Sequence, residues 1–170
     1  MGTKKIDPTK VTSSVGIKIG KADAPNLLFE FVNLRCPFCK QWWDEKLDLI
    51  SKEVNSENLH YVIKLFNKDS ASLSLGNVMH EYVPANEQAI KVITDIYNSQ
   101  SQWGSLSTQE EVREFAEETL GLIKQDNQKM LQDIVEEAAN ADVHFVPTLI
   151  VDDFDFDQKI SNDDFLSLLR

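Results

Sequence analysis

The 170-residue chain has no run approaching the roughly eighteen apolar residues that span a bilayer, so membrane insertion is not expected. It is short of positive charge: 17 Lys and Arg stand against 28 Asp and Glu, a net of −11. Nucleic acids and anionic membrane surfaces are polyanions, so this balance argues against both as partners. The polar start MGTKKIDPTKVTSS has no apolar segment after its lysines. No secretory signal is read there, and the expected compartment is the cytoplasm; removal of an export signal would instead mean an extracytoplasmic site. Cysteine is scarcer still. Cys36 and Cys39 are the only two, too few for the disulfide framework of a small secreted fold. The three histidines, His60, His80 and His144, are isolated and do not complete a four-ligand zinc set with the cysteine pair. No metal is expected. Internal repeats and low-complexity segments are also missing.

What is present is a globular composition, 42% apolar and 26% charged, with enough length for one sizeable core. Residues 1–15 are polar and expected to be loosely held. A short alternating patch (16–20) and a turn (21–25) lead to Leu27-Leu-Phe-Glu-Phe-Val32, whose near-continuous apolar character predicts a strand buried on both faces. From Pro37 to about Asn55, Trp43, Leu47, Ile50 and Val54 recur at helical spacing, with proline tolerated in the first turn. Residues 59–66 predict a second strand, so strand, helix and strand form a parallel βαβ unit. Four helices follow, over 70–83, 86–99, 107–120 and 124–141, with a capping box at Thr108-Gln-Glu-Glu111. Strands over 146–151 and 156–160 and a closing helix over 165–170, capped from Ser161, end the chain. The pattern predicts an α/β core (16–69 and 142–170) interrupted by a helical insertion (70–141), the last helix of which packs on the core.

The stretch NLRCPFCK places both cysteines where a buried strand hands over to a helix. Backbone N–H groups and the positive end of the helix dipole there favour a thiolate at Cys36. Arg35 and Lys40 flank the pair and can add to this. Cys39 lies nearly one turn further in, close enough to form a disulfide with Cys36. The arrangement suits a two-step exchange in which Cys36 forms a mixed disulfide and Cys39 resolves it. A structural staple closing so short a loop restricts the unfolded chain little. Redox chemistry is therefore favoured over a staple or a zinc site.

LLFEFVNLRCPFC, the long helical segment and FVPTLIVDD together resemble the DsbA-like thiol–disulfide oxidoreductases of the thioredoxin-fold superfamily. The resemblance runs from about Gly16 to Arg170 and includes GKADAP before the first long strand. It implies a thioredoxin fold, a central mixed sheet flanked by helices, with an inserted all-helical subdomain. It implies that Cys36 is the nucleophile and Cys39 the resolving cysteine, with no cofactor beyond their redox-active disulfide. Val146-Pro147 would be a cis-proline loop packed against the pair, and the Val146 backbone would pair with an extended substrate. Pro37 and Phe38 would line the same substrate site. Glu30, six residues before Cys36 and flanked by Phe29 and Phe31, matches a buried acid with a raised pKa that relays a proton to or from Cys39. Expected partners are cysteine-containing proteins or peptides and a redox partner. The best-known oxidising members carry a histidine between their cysteines, where this chain has Pro37-Phe38, which implies a less oxidising pair.

Two other functions fit the same residues. One is a redox-sensing adaptor on this scaffold. The other is a glutathione-using transferase or isomerase of the kappa type, which has no evident use for Cys39. Trp42 and Trp43 predict a helix-packing pair, or else one indole exposed near the site. Asp153-Phe-Asp-Phe-Asp157 lacks the glycine and distal glutamate of a calcium loop and predicts an acidic hairpin. His144, just before Val146-Pro147, is the histidine expected nearest the chemistry. Leu73, Leu75, Val78, Met79, Tyr82 and Val83 predict a buried helix face, or an apolar groove beside Cys36.

Overall fold

Strands that are apolar at successive positions must be covered on both faces, and that requirement shapes this molecule. In the computed structural model, which describes residues 5–170, β2 (Asn26–Val32) and β3 (Leu59–Leu65) run parallel through the middle of a five-stranded sheet. Helix α1 (Pro37–Asn55) forms the crossover between them. β1 (Ile17–Ile19) pairs antiparallel with β3. β4 (Thr148–Val151) lies antiparallel to β2, and β5 (Phe154–Phe156) antiparallel to β4. The order is β1-β3-β2-β4-β5. Because Phe31 pairs with Thr148, the residues leaving β2 and those entering β4 meet at one end of the sheet. The cysteine pair and Val146-Pro147 are thereby brought together.

Side-chain alternation divides the core. Leu28 and Val32 face the α1 side, where they join Trp42, Ile50 and Phe165, the last from α7 (Asn162–Ser167). Phe29 and Phe31 face the other side, against Ile134 and Ala138 of α6 (Gln128–Asn140). Each such side chain contributes roughly 1.5–3 kcal/mol on burial. Between β3 and α6 lie α2 (Ser74–His80), α3 (Ala89–Asn98), α4 (Gln100–Trp103) and α5 (Gln109–Glu114), the last running into a π-helical turn over Phe115–Thr119. Their buried faces share one core with α1 and the sheet, so these helices form no separate hydrophobic body. Thr108 caps α5 as expected: Glu111 N–H donates to Thr108 Oγ1 at 3.1 Å.

Three expectations change. Residues 5–15 of the supposedly loose N-terminus are tied down, whereas residues 1–4 lie outside the described residues. The cause is Lys64, fully buried in β3, which needs acceptors. Its Nζ donates to Thr12 O at 2.8 Å and Val15 O at 2.5 Å and pairs with Glu137 at 2.7 Å. The last strand spans 154–156 rather than 156–160, because a two-residue turn at Asp152-Asp153 starts the hairpin at once. Asp152 adopts φ 54 there, which aspartate tolerates. Finally, the closing helix spans 162–167 rather than 165–170, since Ser161 Oγ accepts from Asp164 N–H and sets its start.

Candidate active site

Cys36 is the N-cap of α1, with extended backbone (φ −73, ψ 123) and Pro37 at the first helical position. The four-residue bend leading to it is held from several directions. Cys36 N–H donates to Asn33 O at 2.9 Å, and Arg35 N–H to Asn33 Oδ1 at 2.9 Å. The Asn33 amide donates to Phe66 O and Asn77 Oδ1, both at 3.2 Å. Leu34 N–H donates to His80 Nε2 at 3.1 Å, and the other ring nitrogen of His80 meets Asn67 Oδ1 at 2.6 Å. Full burial pushes the His80 pKa down to about 3, so the ring stays neutral, with Nδ1–H donating and Nε2 accepting. Gln100 Nε2 donates to Leu34 O at 2.8 Å and Cys36 O at 3.3 Å, and Arg35 Nε to Gly104 O at 3.1 Å. A side chain at Gly76 would fall on Asn33 Oδ1, and one at Gly104 on Arg35 Nε at 2.6 Å. The helices after β3 therefore hold the turn that presents the cysteine.

The two sulfurs sit in unlike environments. Cys36 is 6% exposed and Cys39 fully buried; both are free thiols. A hydrogen bond from Cys39, then the backbone N–H groups of Cys39 and Phe38 and the Arg35 charge, outweigh burial and lower the Cys36 pKa to about 6. Burial, the same hydrogen bond and the nearby charges of Cys36 and Glu30 push Cys39 well up. Lys40, expected to help, is instead engaged by Asp44 at 2.6 Å.

Beneath the pair lies Glu30, fully buried as expected. Its Oε1 accepts from Trp42 Nε1 at 2.5 Å and Tyr61 OH at 2.7 Å, while Oε2 has no hydrogen-bond partner among the described residues. Burial, opposed by those two bonds, raises its pKa to about 7. An acid so poised can hold or release a proton near neutrality.

Above the pair, the Val146-Pro147 peptide bond is cis, and the Cys36 thiol donates to Val146 O at 3.8 Å. Phe38 and Phe145 expose 56% and 77% of their surfaces beside it. The structure thus brings together Cys36, Cys39, Glu30, Pro37, Phe38, Val146 and Pro147. Trp42 and Trp43 form the expected packing pair: Trp42 packs between Phe156 and Phe165, and Trp43 against Tyr97 with its N–H on Thr94. Val78, Met79, Tyr82 and Val83 are the expected buried face. The expectation for histidine is corrected. His144 is exposed and near Asp142 at 3.7 Å; His80 is the histidine at the site. Sequence reading missed His80, Gln100, Asn33 and Tyr61. A polar residue at the end of an apolar helical stripe was the available signal for His80, and Gln100 offered none.

Comparison with known proteins places the chain. The family model described as Thioredoxin matches residues 12–170. A conserved protein of unknown function from Enterococcus faecalis V583 is 37% identical, with a TM-score of 0.94 over 99% of this chain and 97% of that one. A provisionally assigned protein-disulfide isomerase from Pseudomonas syringae is 16% identical, TM-score 0.71, over 92% of this chain and 98% of that one. An alpha-DsbA1 variant from Wolbachia pipientis is 18% identical, TM-score 0.64, over 97% and 88%. No curated protein matches by sequence. The chain belongs to the thioredoxin family, and the helices between β3 and β4 give it the DsbA-like form of that fold.

Proposed function

We propose that this thioredoxin-family protein exchanges disulfides with cysteine-containing polypeptides through Cys36, with Cys39 resolving the intermediate. The observation that carries the reading is the split between the two sulfurs: Cys36 held at about 6 and Cys39 pushed well above its ordinary range. One sulfur is a thiolate at neutral pH and the other remains a protonated thiol, as stepwise exchange requires.

In the reducing direction the Cys36 thiolate attacks one sulfur of a substrate disulfide. The substrate S–S bond breaks, a Cys36–substrate disulfide forms, and the expelled thiolate takes up a proton. Cys39 then loses its proton and attacks Cys36 sulfur. The Cys36–Cys39 disulfide forms and the second substrate thiolate leaves and is protonated. The substrate gains two electrons from the pair and two protons, one given up by Cys39 and one drawn from solvent. Run backwards, the same steps oxidise a dithiol. Glu30 is the group placed to take up the Cys39 proton, directly or through one water. Ionisation of Cys36 also removes the donor from Val146 O, leaving that carbonyl to accept a backbone N–H of an extended substrate. A separate redox partner resets the pair, no cofactor beyond it is needed, and the proposed compartment is the cytoplasm.

The test is turnover of a peptide disulfide or of insulin by the wild type, Cys36→Ser and Cys39→Ala. Wild type should turn over, Cys36→Ser should be inactive, and Cys39→Ala should accumulate mixed disulfides. Full activity in Cys36→Ser would overturn the reading.

A further inference from the structure

A cavity of about 570 Å³ opens beside Cys36, between Phe38, the Val146–Thr148 loop and the turn after β5. Three observations define what suits it. First, β5 pairs with β4 only as far as Leu149↔Phe156. Beyond that point no described strand covers the edge of Val146 and Thr148, although the cavity continues along the line of β5. Second, its far wall carries Asp155 and Asp157. Both are exposed, and among the described residues the Lys159 backbone N–H on Asp157 Oδ1 at 2.7 Å is the one hydrogen bond their carboxylates accept. Among the described residues lining the cavity, Lys159 is the single cation. Third, Gln158 lines the cavity and is only 7% exposed, yet its Oε1 finds no hydrogen-bond partner among the described residues. Two carboxylates and a stranded amide oxygen call for a ligand rich in donors.

We infer that this cavity selects extended polypeptide substrates carrying a lysine or arginine one or two residues before the reacting cysteine. The inference rests on the disulfide-exchange reading and adds the substrate class. A segment continuing the line of β5 runs antiparallel to β4. With its cysteine opposite Val146 and next to Cys36, its two preceding residues lie along Pro147 and Thr148, beside Asp155, Asp157 and Gln158. Residues after the cysteine leave this wall. The exposed rings of Phe38 and Phe145 contact the cysteine's flanks without regard to charge.

The test compares three short peptides as mixed disulfides with a chromophoric thiol: lysine two residues before the cysteine, glutamate there, or lysine two residues after. The second-order rate constant for attack by Cys36 is measured at about 20 mM and about 300 mM salt. The peptide with the preceding lysine should react about two- to fivefold faster than the one with glutamate at low salt, a ratio in the range of exposed ion pairs. The ratio should shrink at high salt and fall toward one in Asp155→Asn/Asp157→Asn, whose Cys36 thiolate titration should match wild type. Equal rates for the three peptides, or a preference unchanged in the double variant, would overturn the inference and leave disulfide exchange standing. Failure of Cys36 to react with any peptide would overturn both.

Discussion

His80 accepts the backbone N–H of Leu34 at 3.1 Å across 46 residues of sequence, joining a helix of the inserted segment to the bend that carries Cys36. The ring can do this only while neutral and in one tautomer, and Asn67 fixes that tautomer from the other side. Gln100 adds its amide to the carbonyls of Leu34 and Cys36. The inserted helices thus position the nucleophile's backbone, and the thioredoxin core alone does not supply these contacts.

Replacing His80 with leucine strands the Leu34 N–H in a buried site, which costs about 1–3 kcal/mol. His80→Leu should lower the urea midpoint by a corresponding amount, and His80→Gln, which restores an acceptor, should recover part of it. The folded pKa of about 3 lies below the ordinary value of 6.5, so the unfolded chain binds more protons between them. Wild-type stability should therefore decline as pH falls from 6.5 toward 3, and His80→Leu should lose that part of the slope. An unchanged urea midpoint in His80→Leu would remove the positioning role.

Thiolate absorbance of the reduced protein should titrate near pH 6, well below an ordinary cysteine. Alkylation of Cys36 should accordingly reach its plateau by about pH 7, roughly two and a half units earlier than for a free thiol with a pKa of about 8.5. The hydrogen bond from Cys39 is the largest cause of the lowering. Cys39→Ala should therefore move the midpoint upward. A midpoint unmoved by that substitution would assign the lowering to the helix terminus and Arg35 instead.

Phe38 is 56% exposed at the start of α1, so its substitution disturbs little packing. With Cys36 at about 6, the pair should be more oxidising than thioredoxin, near roughly −270 mV, and less so than DsbA, near roughly −120 mV. Phe38→His adds a donor for the thiolate and should move the potential toward the oxidising end. Equilibration against glutathione buffers measures both proteins; a value at or below thioredoxin's for wild type would contradict the lowered Cys36 pKa.

Local chemistry explains what the sequence made legible. Leu27–Val32 announces a central strand because apolar residues at successive positions fit only a sheet covered on both faces, and the cysteine spacing announces one helical turn. Flanking phenylalanines placed Glu30 inside. The bracing residues were not legible, since Gln100 and His80 matter only through partners 64 to 66 and 46 residues away. Periodicity carries no such distances. Lys64 shows the same limit: LHYVIKLF announces a strand but not that its lysine is buried and pins the N-terminal arm through Thr12, Val15 and Glu137. The Trp42-Trp43 pair packs as its helical position suggested: adjacent helix positions point apart, and inserted helices on one flank and α7 on the other cover both rings.

Glu30 offers the sharpest separation of stability from chemistry. Its folded pKa of about 7 exceeds the ordinary 4.5, so the folded state holds a proton that the unfolded chain has released. Stability from this site is fully present below pH 4.5 and is lost as pH rises through 7, amounting to about 3 kcal/mol. Glu30→Gln keeps an oxygen for Trp42 and Tyr61 and has no charge to desolvate. Relative to wild type it should therefore gain stability between pH 4.5 and pH 8, read as diverging urea midpoints. The same variant cannot accept the Cys39 proton. Resolution of the mixed disulfide should slow at pH 7 while the first attack by Cys36 keeps its rate, so quenched samples should contain more protein–peptide adduct. Parallel stability curves would show that Glu30 titrates normally, and an unchanged adduct lifetime would show that Cys39 gives its proton directly to water.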